Sequence, residues 1–168
     1  AKEVPDTGGD TMFSNQYLAY RALSSSMKKV LKGVKIEASG DNQRNRPVTA
    51  RKDRYSGKSS MKAKAPPKGL KTTSFHPLFR THPETKKKVL YVGNHAVGLQ
   101  DFDDTEAQPI INFLREFSAQ PEFLCRFRWE VGSLAIWDNR CVQHYAVPDY
   151  NGKRRRMHRI TIKGDVPI

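Results

Sequence analysis

The chain has 168 residues, enough for one domain with a real hydrophobic core. No apolar run approaches the ~18 residues of a transmembrane helix, and Ala1-Lys2-Glu3-Val4-Pro5 holds no apolar signal-peptide region. The formal net charge of +13 by itself points to nucleic acid or an anionic surface, but its uneven placement along the chain weakens that inference.

Taken in chain order, Thr11-Met12-Phe13 reads as a short strand after the Gly8-Gly9 turn. Asn15 or Ser14 can cap a helix running through Leu23, and Ser24-Ser25 can cap a second one ending at Gly33. Val34 to Ala38 looks extended. Between Asp41 and Lys71 stand ten Lys/Arg against two Asp, with Pro47, Gly57, Pro66, Pro67 and Gly69 and no periodicity. Residues 41–72 therefore read as a mobile basic loop or lid within a single domain spanning 1–168. A nucleic-acid arm is the weaker reading, because Tyr55 is the only aromatic there for base stacking.

Downstream, Ser74 to Thr81 and Lys88 to Val92 read as strands joined by His82-Pro83-Glu84-Thr85. Asp104 or Thr105 opens the clearest helix, where Ile110, Phe113, Leu114 and Phe117 recur at i, i+3, i+4 and i+7. Pro109 is tolerable only near its first turn. Glu122 to Trp129, Ser133 to Trp137 and Arg155 to Ile162 are the remaining expected strands. Many short strands with few helices suggest a sandwich or barrel. Cys125 and Cys141 lack CxxC spacing, so reduced thiols in a cytoplasmic protein are expected.

The chemistry is concentrated between Trp129 and Pro167. His144 is followed by a turn at Asp149-Tyr150-Asn151-Gly152 and then by the alternating run Arg155 to Ile162. Alternation puts Arg155, Met157, Arg159 and Thr161 on one face, with Arg154 and Arg156 turned outward. At ~3.3 Å per residue, Arg155 and Arg159 stand far enough apart to hold two different anions beside a metal-capable imidazole.

Trp137-Asp138-Asn139-Arg140-Cys141-Val142-Gln143-His144-Tyr145-Ala146, with Asp149-Tyr150 and Arg155-Arg156-Met157-His158-Arg159, closely resembles the C-terminal signature of the taurine/phenoxyacetate (TauD/TfdA) dioxygenases. Thr7-Gly8-Gly9-Asp10-Thr11 resembles the family's Gly-Gly-Asp-Thr segment, and Arg80-Thr81-His82-Pro83 its Arg-Thr-His-Pro strand. The likeness is collinear over nearly the whole chain except about residues 40–72.

The resemblance implies a double-stranded β-helix (jelly roll, cupin-like), mainly β with flanking helices. It implies an Fe(II)- and 2-oxoglutarate-dependent enzyme that hydroxylates a small anionic substrate (a sulfonate, alkyl sulfate or aryloxy acid) with O₂, giving succinate and CO₂. In that reading His144 is an iron ligand, while Arg155 and Thr11 hold the distal carboxylate of 2-oxoglutarate. Arg159 grips the substrate's acidic group, and His95 lies in the substrate-contacting stretch. His144 and the two arginines are expected to face a common barrel interior. Relatives commonly associate, so a homo-oligomer is compatible with the resemblance.

One departure stands out. No His-x-Asp pair occurs in the chain, and the sole His-x-Glu, His82-Pro83-Glu84, belongs to the Arg-Thr-His-Pro segment and reads as a decoy. The family's other two ligands come from a pair placed before the Gly-Gly-Asp-Thr segment. The chain is therefore expected to be the C-terminal part of such a protein, incomplete at its N-terminal side. Two rivals remain: a non-catalytic remnant of the fold without iron, and, with less support, a basic nucleic-acid binder. Phosphate-loop, zinc-finger and nucleophile-elbow spacings are absent.

Overall fold

The computed structural model describes residues 1–39 and 73–166. The basic segment expected to form a lid lies outside the described residues. Strands and helices follow the order β1 (Thr11–Asn15), α1 (Gln16–Ala22), α2 (Ser25–Val30), β2 (Lys35–Ser39), β3 (Thr73–Pro77), β4 (Phe79–Thr81), β5 (Lys88–Leu90), β6 (Ala96–Leu99), α3 (Asp104–Ser118), β7 (Leu124–Phe127) and β8 (Val142–Ala146).

Each helix begins where a side chain or acidic residue satisfies free backbone donors. Asn15 Oδ1 accepts from Tyr17 N and Leu18 N at 3.0 and 3.2 Å, and Ser24 Oγ accepts from Met27 N at 3.1 Å. At α3, Glu106 reaches back to accept from Asp103 N at 3.1 Å. Its buried stripe is Ala107, Ile111, Leu114 and Ser118, one residue offset from the expected one. Phe113 is exposed and stacks on Phe117 instead. Pro109 sits in the second turn, one turn later than expected.

Three small sheets form. One has the order β7-β1-β8, a second β3-β2-β6, and the third pairs β4 with β5. The run expected from Ser74 to Thr81 is one strand broken at Leu78. Leu78 leaves the β2 ladder, donates to Val34 O at 3.0 Å and accepts from Tyr91 N at 2.7 Å, handing the chain to β5. Fully buried Leu78, Leu90, Leu99, Ile111 and Leu114 make the core between α1, α3 and the β2 sheet. Ser14 Oγ donates to Ser118 O at 2.6 Å and so fastens β1 to the end of α3.

Two expected strands are not laddered. Ser133 to Trp137 and Arg155 to Ile162 join no sheet among the described residues, with only Arg156 bridging Glu3. In the first segment exposure still alternates, since Ser133, Ala135 and Trp137 are half-buried while Leu134 and Ile136 are 81% and 89% exposed. From Arg155 the alternation lasts only to Met157: Arg159 and Thr161, expected on the same covered face, are exposed like their neighbours, and no ladder partner stands among the described residues. Conversely, β6 and β8 form where no strand was expected. β8 is recruited by the edge of β1, which fixes Val142–Ala146 through five opposed residues.

Candidate metal and co-substrate site

β1 is the central strand of the first sheet, and its register places the candidate residues. Thr11 stands opposite Phe127 on β7 and Ala146 on β8, and Phe13 stands opposite Cys125 and His144. Opposed residues in an antiparallel pair share a face, and so do residues two apart. Thr11 and His144 are therefore diagonal neighbours on one face of this sheet.

The turn leading into Thr11 needs glycine. Gly8 and Gly9 have φ of +80° and +74°. A Cβ on Gly8 would lie 2.6 Å from the Asp149 carbonyl oxygen, and one on Gly9 would lie 2.9 Å from Arg155 Cδ. Three bonds hold the turn: Gly9 N donates to Asp149 Oδ1 at 2.7 Å, and Arg126 donates to Asp10 Oδ2 at 2.7 Å and Asp149 Oδ2 at 3.2 Å. The Gly9 amide beside Asp149 is the chief cause that holds its carboxyl below the usual carboxylate range.

Arg155 lies along this turn and donates from Nε to Gly9 O at 2.8 Å. Its Nη groups have no partner among the described residues. Arg154 and Arg156 point the other way, exposed, and pair with Glu3 at 3.0 and 2.9 Å. Thr11 is buried, and its hydroxyl oxygen accepts from Trp129 Nε1 at 2.9 Å.

His144 carries Trp137 on its ring at 5.0 Å between centroids, and Trp137 also rests on Phe13 at 5.1 Å. Desolvation, then the charge of Arg159, hold His144 below the ordinary histidine range, so its imidazole stays neutral and keeps a lone pair to offer. The expected enclosed interior is not formed by the described residues. His144 and Arg159 are open to solvent on their outer side and Arg155 is partly covered, because nothing described here layers over that face of the sheet.

His95 lies apart, between Gly93 and Ala96, in a loop whose carbonyls accept from Arg115. Tyr91 packs on its ring at 5.0 Å, and Nε2 is buried without a partner among the described residues. Burial, with His76 and Arg115 nearby, pushes its pKa down to about 4. Gln143, next to His144, donates to Val92 O and so links β8 to the start of the His95 loop.

Iron needs more than one imidazole. His144 belongs to no cluster of three metal-capable side chains among the described residues. Such a cluster does form at His82, Asp138 and Cys141. It is a hydrogen-bond clamp rather than a metal site. His82 Nδ1 accepts from Glu84 N and Thr85 N, so Nε2 carries the proton and donates to Asp138 Oδ2 at 3.1 Å. Arg140 fills the remaining carboxylate positions at 2.7 to 2.9 Å and holds Asp138 well below the usual carboxylate range. The His82-Pro83-Glu84 decoy is thus a structural pair: Glu84 accepts from Arg140 at 2.8 Å.

The sequence matches the family described as "Taurine catabolism dioxygenase TauD, TfdA family" over residues 1–161. The chain belongs to this family. It is similar to the alkylsulfatase of Acinetobacter baylyi, 34% identical over 97% of the chain and 50% of that protein. It is likewise similar to the alpha-ketoglutarate-dependent 2,4-dichlorophenoxyacetate dioxygenase of Cupriavidus pinatubonensis, 33% identical over 98% of the chain and 54% of that protein. Among solved structures, AAD-2 in complex with Mn(II) and N-oxalylglycine superposes with a TM-score of 0.78 at 27% identity, covering 99% of this chain and 62% of that one. The fold is therefore that of the TauD-like jelly roll, mainly β with flanking helices, of which the described residues form a part. The chain spans about half the length of the curated relatives it matches.

Several positioning residues escaped the sequence reading. Trp129 was assigned only to a strand, because its bond to Thr11 depends on β7 lying beside β1. Arg126 gave no signal and Asp10 stood only within the Gly-Gly-Asp-Thr segment, because their pairing depends on β1 lying beside β7.

Proposed function

We propose that the whole protein to which these residues belong is an Fe(II)- and 2-oxoglutarate-dependent dioxygenase hydroxylating a small anionic substrate. Sulfonates, alkyl sulfates and aryloxy acids are the substrate classes, because relatives at 30–34% identity are named for them. Succinate and CO₂ accompany the hydroxylated product. The observation that carries the reading is the shared face of Thr11 and His144, with Arg155 bound along the turn that feeds Thr11.

In this reading the metal supplies the oxidising chemistry when bound, and the chain supplies one ligand and the anion clamps. The described residues do not complete an iron site, so two further ligands come from elsewhere in the protein. Arg155 offers its free Nη edge to the distal carboxylate of 2-oxoglutarate, a bidentate match that keeps its charge when water leaves. Thr11 adds a hydroxyl donor to the same group. Arg159, whose charge already bears on His144, orients the anionic end of the substrate next to the metal ligand. His95, neutral and with a free buried ring nitrogen, is a polar contact for the substrate from the neighbouring loop.

No helix among the described residues is long and apolar enough to cross a membrane. A cytoplasmic location belongs to the same proposal, supported by two unpaired cysteines, Cys125 and Cys141.

The test is anaerobic addition of Fe(II) and 2-oxoglutarate to the whole protein. A visible charge-transfer band is expected, absent in His144→Ala and requiring more 2-oxoglutarate in Arg155→Lys. A wild-type protein that gives no band, and no succinate in air with any of the three substrate classes, would overturn the reading.

A further inference from the structure

Thr11 and Trp129 form a pair that the sequence reading did not foresee. The indole N–H can only donate, so in the 2.9 Å bond from Trp129 Nε1 the Thr11 oxygen must accept. A hydroxyl has one hydrogen, and here no acceptor for it exists among the described residues. Its direction is restricted twice over. Thr is stiff at χ1, and one lone pair is already taken by the indole. The donated bond also polarises the hydroxyl and makes it a better donor in its turn.

Trp129 is itself fixed. It follows β7 on the face of Phe127, whose ring meets it edge-on at 4.8 Å and 75°, and Phe127 stands opposite Thr11 in the ladder. Arg155 behaves in parallel, since Gly9 O occupies its Nε and leaves only outward N–H groups. Together, Thr11 and Arg155 present mainly hydrogens, with one remaining Thr11 lone pair as the acceptor, to whatever lies against them.

We propose that Trp129 is a positioning residue that occupies one lone pair of the Thr11 hydroxyl, turns its hydrogen toward the subsite, and thereby favours a carboxylate there over its neutral amide. A carboxylate accepts on every lone pair, whereas an amide turns an N–H₂ group toward groups that mainly donate. This inference rests on the assignment of Thr11 and Arg155 to the distal end of 2-oxoglutarate. Without the indole, both Thr11 lone pairs are open and the hydroxyl turns freely, so discrimination falls along with affinity.

The experiment uses the whole protein with Zn(II) in place of iron, which prevents turnover, and reads binding by calorimetry. The probes are 2-oxoglutarate, its 5-amide and N-oxalylglycine. Trp129→Phe keeps the ring and removes the donor; it is expected to weaken 2-oxoglutarate about three- to tenfold, the worth of one hydrogen bond, and to narrow the gap to the amide. Thr11→Val is expected to lose a similar factor, and the double variant no more than Thr11→Val alone. Losses that multiply in the double variant, or an unchanged Trp129→Phe beside a weakened Thr11→Val, overturn the role of Trp129 while leaving the co-substrate assignment standing. A wild type that binds none of the three probes sinks the functional reading itself. A measurement on the unmutated protein guards against a misfolded variant. The Trp129 indole ¹⁵N–¹H resonance is expected to shift when N-oxalylglycine binds, and a resonance that stays put through saturation overturns the inference.

Discussion

The Gly9 amide donates to Asp149 Oδ1 at 2.7 Å, across 140 residues of sequence, and this bond joins the turn before β1 to the loop after β8. Both halves of the proposed anion clamp depend on it, because Thr11 leaves one side of the joint and Arg155 returns along the other. Gly8→Ala tests the joint. Its Cβ would meet the Asp149 carbonyl at 2.6 Å on a backbone with φ of +80°. The left-handed conformation alone costs about 1–2 kcal/mol, and the clash adds to it by pushing Asp149 away. Urea unfolding is expected to show at least that loss, and calorimetry a weaker 2-oxoglutarate site in the whole protein.

Asp138→Ala addresses the clamp that links the turn after β4 to the approach to β8. His82 is 3% exposed, and its Nε2 proton has Asp138 as its acceptor. Removing the carboxylate leaves that donor buried and unpaired, at a cost of about 1–3 kcal/mol. Denaturant midpoints measure it. Adding Zn(II) is expected to shift the wild type and the variant equally; a stabilisation by the metal that Asp138→Ala abolishes would contradict the tautomer assigned to His82.

How far the sequence foretold this arrangement depends on which forces set each part. Asn15, Ser24 and the Asp103–Glu106 pair are local signals, and the helices they open start within a residue of the expected positions, although α2 ends at Val30 rather than Gly33. Thr11, Arg155 and His144 were legible as a motif, although only the β1–β8 register puts Thr11 and His144 on one face. The alternation of Arg154, Arg155 and Arg156 was also readable, since Glu3 gathers the outer two. What could not be read was pairing at a distance. β8 has no strong strand pattern of its own and forms because β1 offers an edge, whereas Ser133 to Trp137 has the pattern and lacks a partner. The offset stripe of α3 has a similar origin: Ile111 and Leu114 are chosen by what α3 packs against, and Phe113 is left outside despite its hydrophobicity.

The depressed pKa of His95 gives the protein an acid-sensitive loop. Burial holds it at about 4 in the folded chain, against about 6.5 when unfolded. Between those values the unfolded state binds more protons, so stability rises with pH and is lost as pH falls from about 6.5 toward 4. His76 and His144 are lowered too and act in the same sense. His95→Gln removes one titrating site, and its stability is expected to decline less steeply over this window, by up to about 1.4 kcal/mol per pH unit. Unfolding curves at pH 4.5, 5.5, 6.5 and 7.5 compare the two. Parallel declines would mean that the ring takes up its proton equally readily in the folded and unfolded states.

Trp137 packs on two rings at once, Phe13 at 5.1 Å and His144 at 5.0 Å, and its indole N–H is anchored on Asn139 Oδ1 at 2.9 Å. Each aromatic pair contributes about 0.5–1.5 kcal/mol, so Trp137→Ala is expected to cost roughly 1–3 kcal/mol in urea unfolding. Trp137→Phe should recover most of it, because the ring contacts survive and only the anchor to Asn139 is lost. The two variants separate packing from orientation. If Trp137 also sets the direction of the His144 ring, the Phe variant restores stability yet binds Fe(II) more weakly in the whole protein, since an unanchored ring lets the imidazole turn. Equal iron affinity in Trp137→Phe and wild type would leave Trp137 with packing as its sole contribution.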